Sequence, residues 1–262
     1  MCDTCGCENN ENIRIYKPGE KHQNEEDKIH DHVHHHNHQN GHYHEHHHTK
    51  EININADILG ANKLLAERNR GYFEALEIFA LNLVSSPGSG KTTLLEQTIS
   101  IIGNELEFSV IEGDQNTAND AQRIQKTSAP VIQINTGQGC HLDAKMVNEA
   151  TKKLDPPKGS ILFIENVGNL VCPSMFDLGE AKRILIFSVT EGDDKPEKYP
   201  TMFHTSDVCI INKTDLLPYV DFDVEKAKHL ALHLNPKMIF FEVSAKTGDG
   251  MEKWYDWLKS NS

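Results

Sequence analysis

The run SSPGSGKTT, Ser85 to Thr93, joins an apolar segment, FALNLV, to a helix-compatible one, LLEQTISII. Strand, glycine-rich turn and helix in that order constrain this chain more than any other feature, because each part is useful only beside the other two. Gly88 and Gly90 let successive backbone N–H groups converge on phosphate oxygens, and the helix N-terminus adds partial positive charge. Lys91 is spaced to reach the β and γ phosphates, and Thr92 to give its hydroxyl to Mg²⁺. Ser89 and Thr93 belong to the same nucleotide-binding run. The general pattern G-x-x-x-x-G-K-[ST] begins with glycine; here Ser85 stands there, which restricts the backbone but removes no phosphate-contacting group.

Short apolar runs then alternate with polar, helix-compatible stretches: SVIEG, VIQI, ILFIE, RILIFSV, DVCIIN and KMIFFEVS. Nearly continuous Ile, Val, Leu and Phe implies strands covered on both faces. The expected fold is therefore α/β, a P-loop NTPase with a mostly parallel sheet between helices. Upstream, Ile58, Leu59, Leu64, Leu65, Tyr72, Phe73 and Leu76 recur at near-helical spacing behind Asp57, a candidate cap. This predicts an entry helix over 57–79.

Asn212-Lys213-Thr214-Asp215 follows the run DVCII directly. A carboxylate such as Asp215 accepts from both the ring N–H and the exocyclic amine of guanine, whereas adenine offers an acceptor and no amine there. The sequence thus points to GTP over ATP. Ser244-Ala245-Lys246, after the last apolar run, would bring the Ala245 N–H to the guanine carbonyl. By itself N-K-x-D is equally an Asx turn ending a strand. Between these anchors Glu165-Asn166-Val167-Gly168 stands where GTP-hydrolysing enzymes carry D-x-x-G: Glu165 can hold Mg²⁺ through water and Gly168 can face the γ-phosphate. Asp114, in GDQNTANDAQRI, is the candidate second Mg²⁺ carboxylate within a mobile switch, with Asp120 in reserve. Its alternative is a cap for the following helix.

Composition limits the partners. A formal net charge of −13 without a Lys or Arg run argues against nucleic acid. No apolar run approaches a bilayer span, and MCDTCGC lacks the basic and apolar regions of a signal peptide, so neither a membrane partner nor export is expected and the location expected is cytoplasmic. In that reducing compartment the six cysteines read as metal ligands or core residues. Residues 1–48 are polar, hold 12 of the 16 histidines, and show no helical or strand period. They are expected to be a disordered metal-binding tail, followed by a linker and entry helix (49–79) and a GTPase domain (80–262).

Taken together, CDTCGC, the histidine-rich linker, SSPGSGKTT, IEGDQNTANDAQRI, NTGQGCHLDA, FIENVGNLVCP, VTEGDDKP, NKTDLLPY and SAKTGDGM resemble the HypB family over almost the whole chain. These are hydrogenase nickel-incorporation GTPases of the signal-recognition and MinD-like class. The resemblance implies GTP hydrolysis coupled to nickel insertion into the large subunit of nickel–iron hydrogenase. It also implies a GTP-dependent homodimer and cooperation with the small nickel chaperone HypA.

The residue chemistry fits a metal cargo. Cys2, Cys5 and Cys7 offer three thiolates within six residues, and an amino-terminal nitrogen would complete a square-planar Ni²⁺ site; Zn²⁺ would also bind there. The histidine tract, interior to the chain and without six consecutive histidines, suits weak storage of several ions better than an expression tag. Cys140 and His141 follow NTGQG, and Cys172 lies seven residues beyond Glu165, so a metal there would be tied to the γ-phosphate-sensing segment. Cys140 read in isolation is a small buried hydrophobe, and Cys209, mid-strand, is expected in the core. Two other functions remain open on sequence: nickel storage or detoxification, and the urease nickel-accessory GTPase, which typically carries Cys-Pro-His where this chain has Cys140-His141.

Overall fold

The computed structural model describes residues 13–18, 48–115 and 119–262, with side chains from residue 58 onward in the second stretch. Cys2, Cys5, Cys7, the histidine tract before His48 and residues 116–118 lie outside the described residues. In chain order the elements are β1 (Arg14–Tyr16), α1 (His48–Ala75), β2 (Phe79–Ser85), α2 (Lys91–Ile102), β3 (Phe108–Asp114), α3 (Asn119–Gln125), β4 (Val131–Asn135) and α4 (Ala144–Leu154). The second half contributes β5 (Ile161–Glu165), β6 (Lys182–Ser188), α5 (Lys195–Lys198), α6 (Pro200–Thr205), β7 (Val208–Asn212), α7 (Val224–Leu234), β8 (Ile239–Glu242) and α8 (Met251–Asn261).

Each of the expected apolar runs is a strand, and β2 to β8 all pair parallel, in the order β4-β3-β5-β2-β6-β7-β8. Their residues are apolar on both faces because helices cover both. On one side α2, α3 and α8 bury Leu94, Ile99, Ile124 and Trp254 against Val110 and Phe163. On the other, α1 and α4 bring Phe73, Val147 and Ala150 onto Ile132 and Leu162. Beyond β6, α6 and α7 bury Met202, Phe203 and Ala231 against Phe187 and Ile211. Cys209 is fully buried in β7, as expected, and burial pushes its thiol pKa up. The chain passes from β2 to β3 with β5 between them, so the loops leaving β2 and β5 open a crevice at the strands' C-terminal ends.

Two expectations change. The reading that residues 1–48 hold no strand fails at Arg14–Tyr16, which pair antiparallel with β4, Arg14 opposite Asn135 and Tyr16 opposite Gln133. Three residues are too short to show a period, and Ile15 is recruited by the open edge of β4 and the apolar cluster beneath it. The entry helix, expected over 57–79, runs from His48 to Ala75, so Asp57 lies inside it and Phe79 opens β2.

Its docking also differs from an apolar stripe. Leu64 is 76% exposed, whereas Asn62 and Asn69 are 7% and 1% exposed. The helix approaches the turn at Gly179 so closely that a Cβ there, at φ +88, would lie 2.5 Å from the Ala66 carbonyl oxygen. Buried amides therefore replace apolar contacts along part of this face.

Candidate functional site

The phosphate loop is pinned from three directions. Asn212 Nδ2 donates to the Ser89 carbonyl at 2.9 Å and Lys213 Nζ to the Gly88 carbonyl at 2.7 Å, with Lys213 itself left-handed at φ +61. Gly90 is at φ +97, where a Cβ would meet Asn212 Nδ2 at 2.6 Å; a side chain would push the loop and the N-K-x-D segment apart. Lys91 Nζ donates to Ser85 Oγ at 3.0 Å, so the serine in place of the usual first glycine acts as a rest for the lysine. Lys195, from VTEGDDKP, donates to Ser86 Oγ at 3.0 Å.

These groups border a cavity of ≈ 510 Å³ lined by Gly88 to Thr93, Asp114, Asp120, Glu165 and Gly168. Thr92 Oγ1 donates to Glu165 Oε1 at 2.7 Å, while Glu165 Oε2 is buried without a hydrogen-bond partner. Burial raises the Glu165 pKa, against the opposing pull of Lys91 and Thr92. A hydroxyl beside an orphaned buried carboxylate oxygen fits a hydrated divalent cation. Asp114 takes the Gln115 N–H on Oδ1 at 2.7 Å and ends β3 five residues before α3 begins. Asp120 pairs with Arg123 at 3.3 Å.

The sequence reading overlooked Glu112 and Arg123, both on the cavity wall. Glu112 sits opposite Glu165 in the β3–β5 register, is 2% exposed, and has an oxygen without a partner. Burial, then the Glu165 charge, pushes its pKa up to about 9. Its signal was available: a lone acid inside an apolar run, two residues before Asp114 and so on the same face. Arg123 reaches Thr93 Oγ1 at 3.0 Å and also pairs with Glu96, placing a guanidinium beside the phosphate loop.

At the N-K-x-D segment, Ser244 Oγ donates to Asp215 Oδ1 at 2.6 Å, which orients the carboxylate. The Ala245 N–H, expected to face the base, donates to Asn212 Oδ1 at 3.1 Å and joins the N-K-x-D and S-A-K segments. Lys246 is exposed.

Cys140, His141 and Cys172 come together, with one ligand atom of each lying within 4.8 Å of the others. Such separations close onto one metal at bond lengths of about 2.0–2.3 Å. Cys140 Sγ is 3.7 Å from His141 Nδ1, and the imidazole stacks on Phe176 with ring centroids 3.9 Å apart. Burial lowers the His141 pKa and favours the neutral, ligating ring. Cys172 is nearly buried at the start of a 3₁₀ turn, Cys172–Met175.

Cleft and cluster share a buried polar chain. Asn166, next to Glu165, accepts the Leu142 N–H at 3.0 Å, directly after His141. Its amide donates to Asn82 Oδ1 at 3.2 Å, and Asn82 donates to Glu180 Oε1 at 3.0 Å. Glu180 is held by Arg183, which also binds the carbonyls of Ser174 and Phe176 just after Cys172. A second link runs from Gln115 Nε2 to the Gly139 carbonyl at 3.2 Å, between Asp114 and Cys140.

Known proteins resemble this chain in sequence and fold. Residues 79–242 match the family described as CobW/HypB/UreG, nucleotide-binding domain. The chain is 56% identical over 211 residues to the hydrogenase maturation factor HypB of Azotobacter vinelandii, an alignment covering 80% of this chain and 70% of that protein. The crystal structure of hydrogenase maturation factor HypB from Archaeoglobus fulgidus matches with TM-score 0.72 and 44% identity over 77% of this chain and 98% of that one. That of HypB from Helicobacter pylori in complex with nickel matches with TM-score 0.73 and 40% identity, covering 76% and 94%. A phosphate loop, a cation-ready glutamate and a sulfur–imidazole cluster on one scaffold, with this identity, show that the chain belongs to the HypB hydrogenase maturation factors of the CobW/HypB/UreG family.

Proposed function

We propose that this protein is a GTP-hydrolysing nickel chaperone that assists nickel insertion into the large subunit of nickel–iron hydrogenase. The observation that carries the coupling is the 3.0 Å bond from the Leu142 N–H to Asn166, which ties the ligand loop to the residue beside Glu165. Asp215 selects guanine, and Lys91 with the Gly88–Gly90 loop holds the phosphates. Thr92, Glu165 and Asp114 would hold Mg²⁺, which neutralises phosphate charge when bound. Nickel is cargo at Cys140, His141 and Cys172, where Zn²⁺ competes for the same sulfur and nitrogen donors. Cys2, Cys5 and Cys7 form a separate tail site. The remaining features follow the family: cytoplasmic location, a GTP-dependent homodimer, and HypA and the hydrogenase large subunit as partners. A net charge of −13 supports the exclusion of nucleic acid.

The test is isothermal titration of nickel into protein with its three tail cysteines replaced by serine, bound to GDP or to a non-hydrolysable GTP analogue. The two affinities should differ by about 5- to 150-fold, the ordinary range for coupled sites. Cys172→Ala should erase the difference and leave nucleotide affinity intact. Equal nickel affinity in both nucleotide states would sink the coupling.

A further inference from the structure

The two ligand loops of the metal cluster are joined by a helix that precedes the matched nucleotide-binding domain. Asn62 of α1 accepts the Ala144 N–H at 2.9 Å and donates to the Asp177 carbonyl at 2.8 Å. One turn pair later, Asn69 Nδ2 donates to the Ala144 carbonyl at 2.8 Å and to the Leu178 carbonyl at 2.9 Å. Its oxygen accepts from Asn148 Nδ2 at 2.7 Å, so every hydrogen-bonding group of the buried amide except one lone pair is used. Ala144 lies three residues after His141, and Asp177 directly follows Phe176, whose ring stacks on His141. Each asparagine therefore bridges the loop of Cys140 and His141 to the loop of Cys172.

Packing alone does not explain these residues. Buried amides in a helix face are costly unless satisfied; an apolar side chain at 62 would leave the Ala144 N–H without its acceptor and the Asp177 carbonyl without its donor, and one at 69 would remove the donor to the Ala144 and Leu178 carbonyls. The close approach at Gly179 admits no slack, and Arg70 reinforces it with bonds to the Glu180 carbonyl at 2.9 Å and Asp177 Oδ2 at 2.7 Å. From this geometry we infer that α1 is part of the metal centre: Asn62 and Asn69 are positioning residues that set the spacing between the Cys140–His141 pair and Cys172. The inference rests on the proposed nickel role of that cluster and extends it to residues 48–75, outside the 79–242 region that defines the family domain.

The experiment uses the full chain with Cys2, Cys5 and Cys7 replaced by serine, so that nickel–thiolate charge-transfer absorption reports Cys140 and Cys172 and is blind to the histidine tract. Nickel titrations should show Asn69→Ala and Asn62→Ser weakened about 10- to 100-fold, the range for groups that orient metal ligands. Affinity for a GTP analogue should stay at the wild-type value. Unchanged nickel affinity beside a lowered Tm would make the asparagines structural only, and equal loss of nickel and nucleotide affinity would mean general unfolding; either overturns the inference. If Asn69→Ala does not fold, Asn62→Ser decides. A metal-free measurement separates this inference from the nickel reading: diamide takes two hydrogens from Cys140 and Cys172 to form a disulfide, and this should be slower in the variants. If the chain with serines at 2, 5 and 7 and both asparagines intact shows no nickel–thiolate band, the nickel reading of this cluster ends, while equal disulfide rates would end the clamp.

Discussion

The nucleotide cleft and the Cys140–His141–Cys172 cluster are joined by buried polar bonds but are built by different means. In the cleft, a strand end, two left-handed glycines and a helix start carry Lys91 and Thr92 within one contiguous run, which Asn212, Lys213 and Lys195 then brace from outside. In the cluster, position is set by side chains brought from afar, with Asn166, Arg183, Asn62 and Asn69 all bonding the ligand loops or their flanks. A site carried on one contiguous run owes most of its order to local backbone geometry. One built from buried side-chain bonds can respond to its neighbours, because each bond has a partner that can move.

Lys91→Ala offers the strongest test of that separation. Removing a charge aimed at the transferring phosphate should lower kcat for GTP hydrolysis by about 100- to 1000-fold. Nickel affinity at Cys140, His141 and Cys172 should stay within the error of wild type. A matching loss of nickel would show that the cluster borrows its shape from the loop itself.

Asp215→Asn tests the far end of the cleft. Losing a charge-assisted pair worth ~1.5–3 kcal/mol should weaken GTP by about 10- to 100-fold and improve xanthosine triphosphate, whose extra carbonyl the amide can meet. Competition binding of the two nucleotides reads this directly, and undiminished GTP binding would remove Asp215 from base recognition.

The last test concerns Glu112 and reads stability, with no effect expected on either binding site. Its pKa rises from the ordinary 4.5 to about 9 on folding, so the folded state keeps a proton that the unfolded chain has released. Stability from this source is complete below about pH 4.5 and is lost as the pH climbs toward 9, at no more than about 1.4 kcal/mol per pH unit. Glu112→Gln, which cannot ionise, should flatten the alkaline fall in Tm of the nucleotide-free protein. A slope equal to that of the wild type would assign the fall to other groups.

Much of the cleft was legible because its signals are local. The strands that build the sheet announce themselves as apolar runs, and the phosphate loop, N-K-x-D and S-A-K occur in the order the fold uses them. Cys140, His141 and Cys172 were legible as chemistry, but only folding brings the third within 4.8 Å of the others. Periodicity misread α1, since it counts Leu64 as buried and Asn69 as exposed, whereas satisfied hydrogen bonds invert both. Glu112 went unread for a related reason: a polar residue in a buried strand has meaning only through its partners on the next strand, and Asn166, quoted only as part of its motif, acquires its role from the Leu142 N–H of another loop.

The short β1 strand carries a practical consequence for solubility. It covers Gln133, Ile134 and Asn135 at the margin of the sheet. Chains trimmed past Pro18 would present that margin bare, with main-chain donors and acceptors ready to pair with the same strand of another copy. Self-association seen in such shortened protein would then report an exposed edge, and light scattering with and without residues 13–18 would tell it apart from assembly driven by nucleotide.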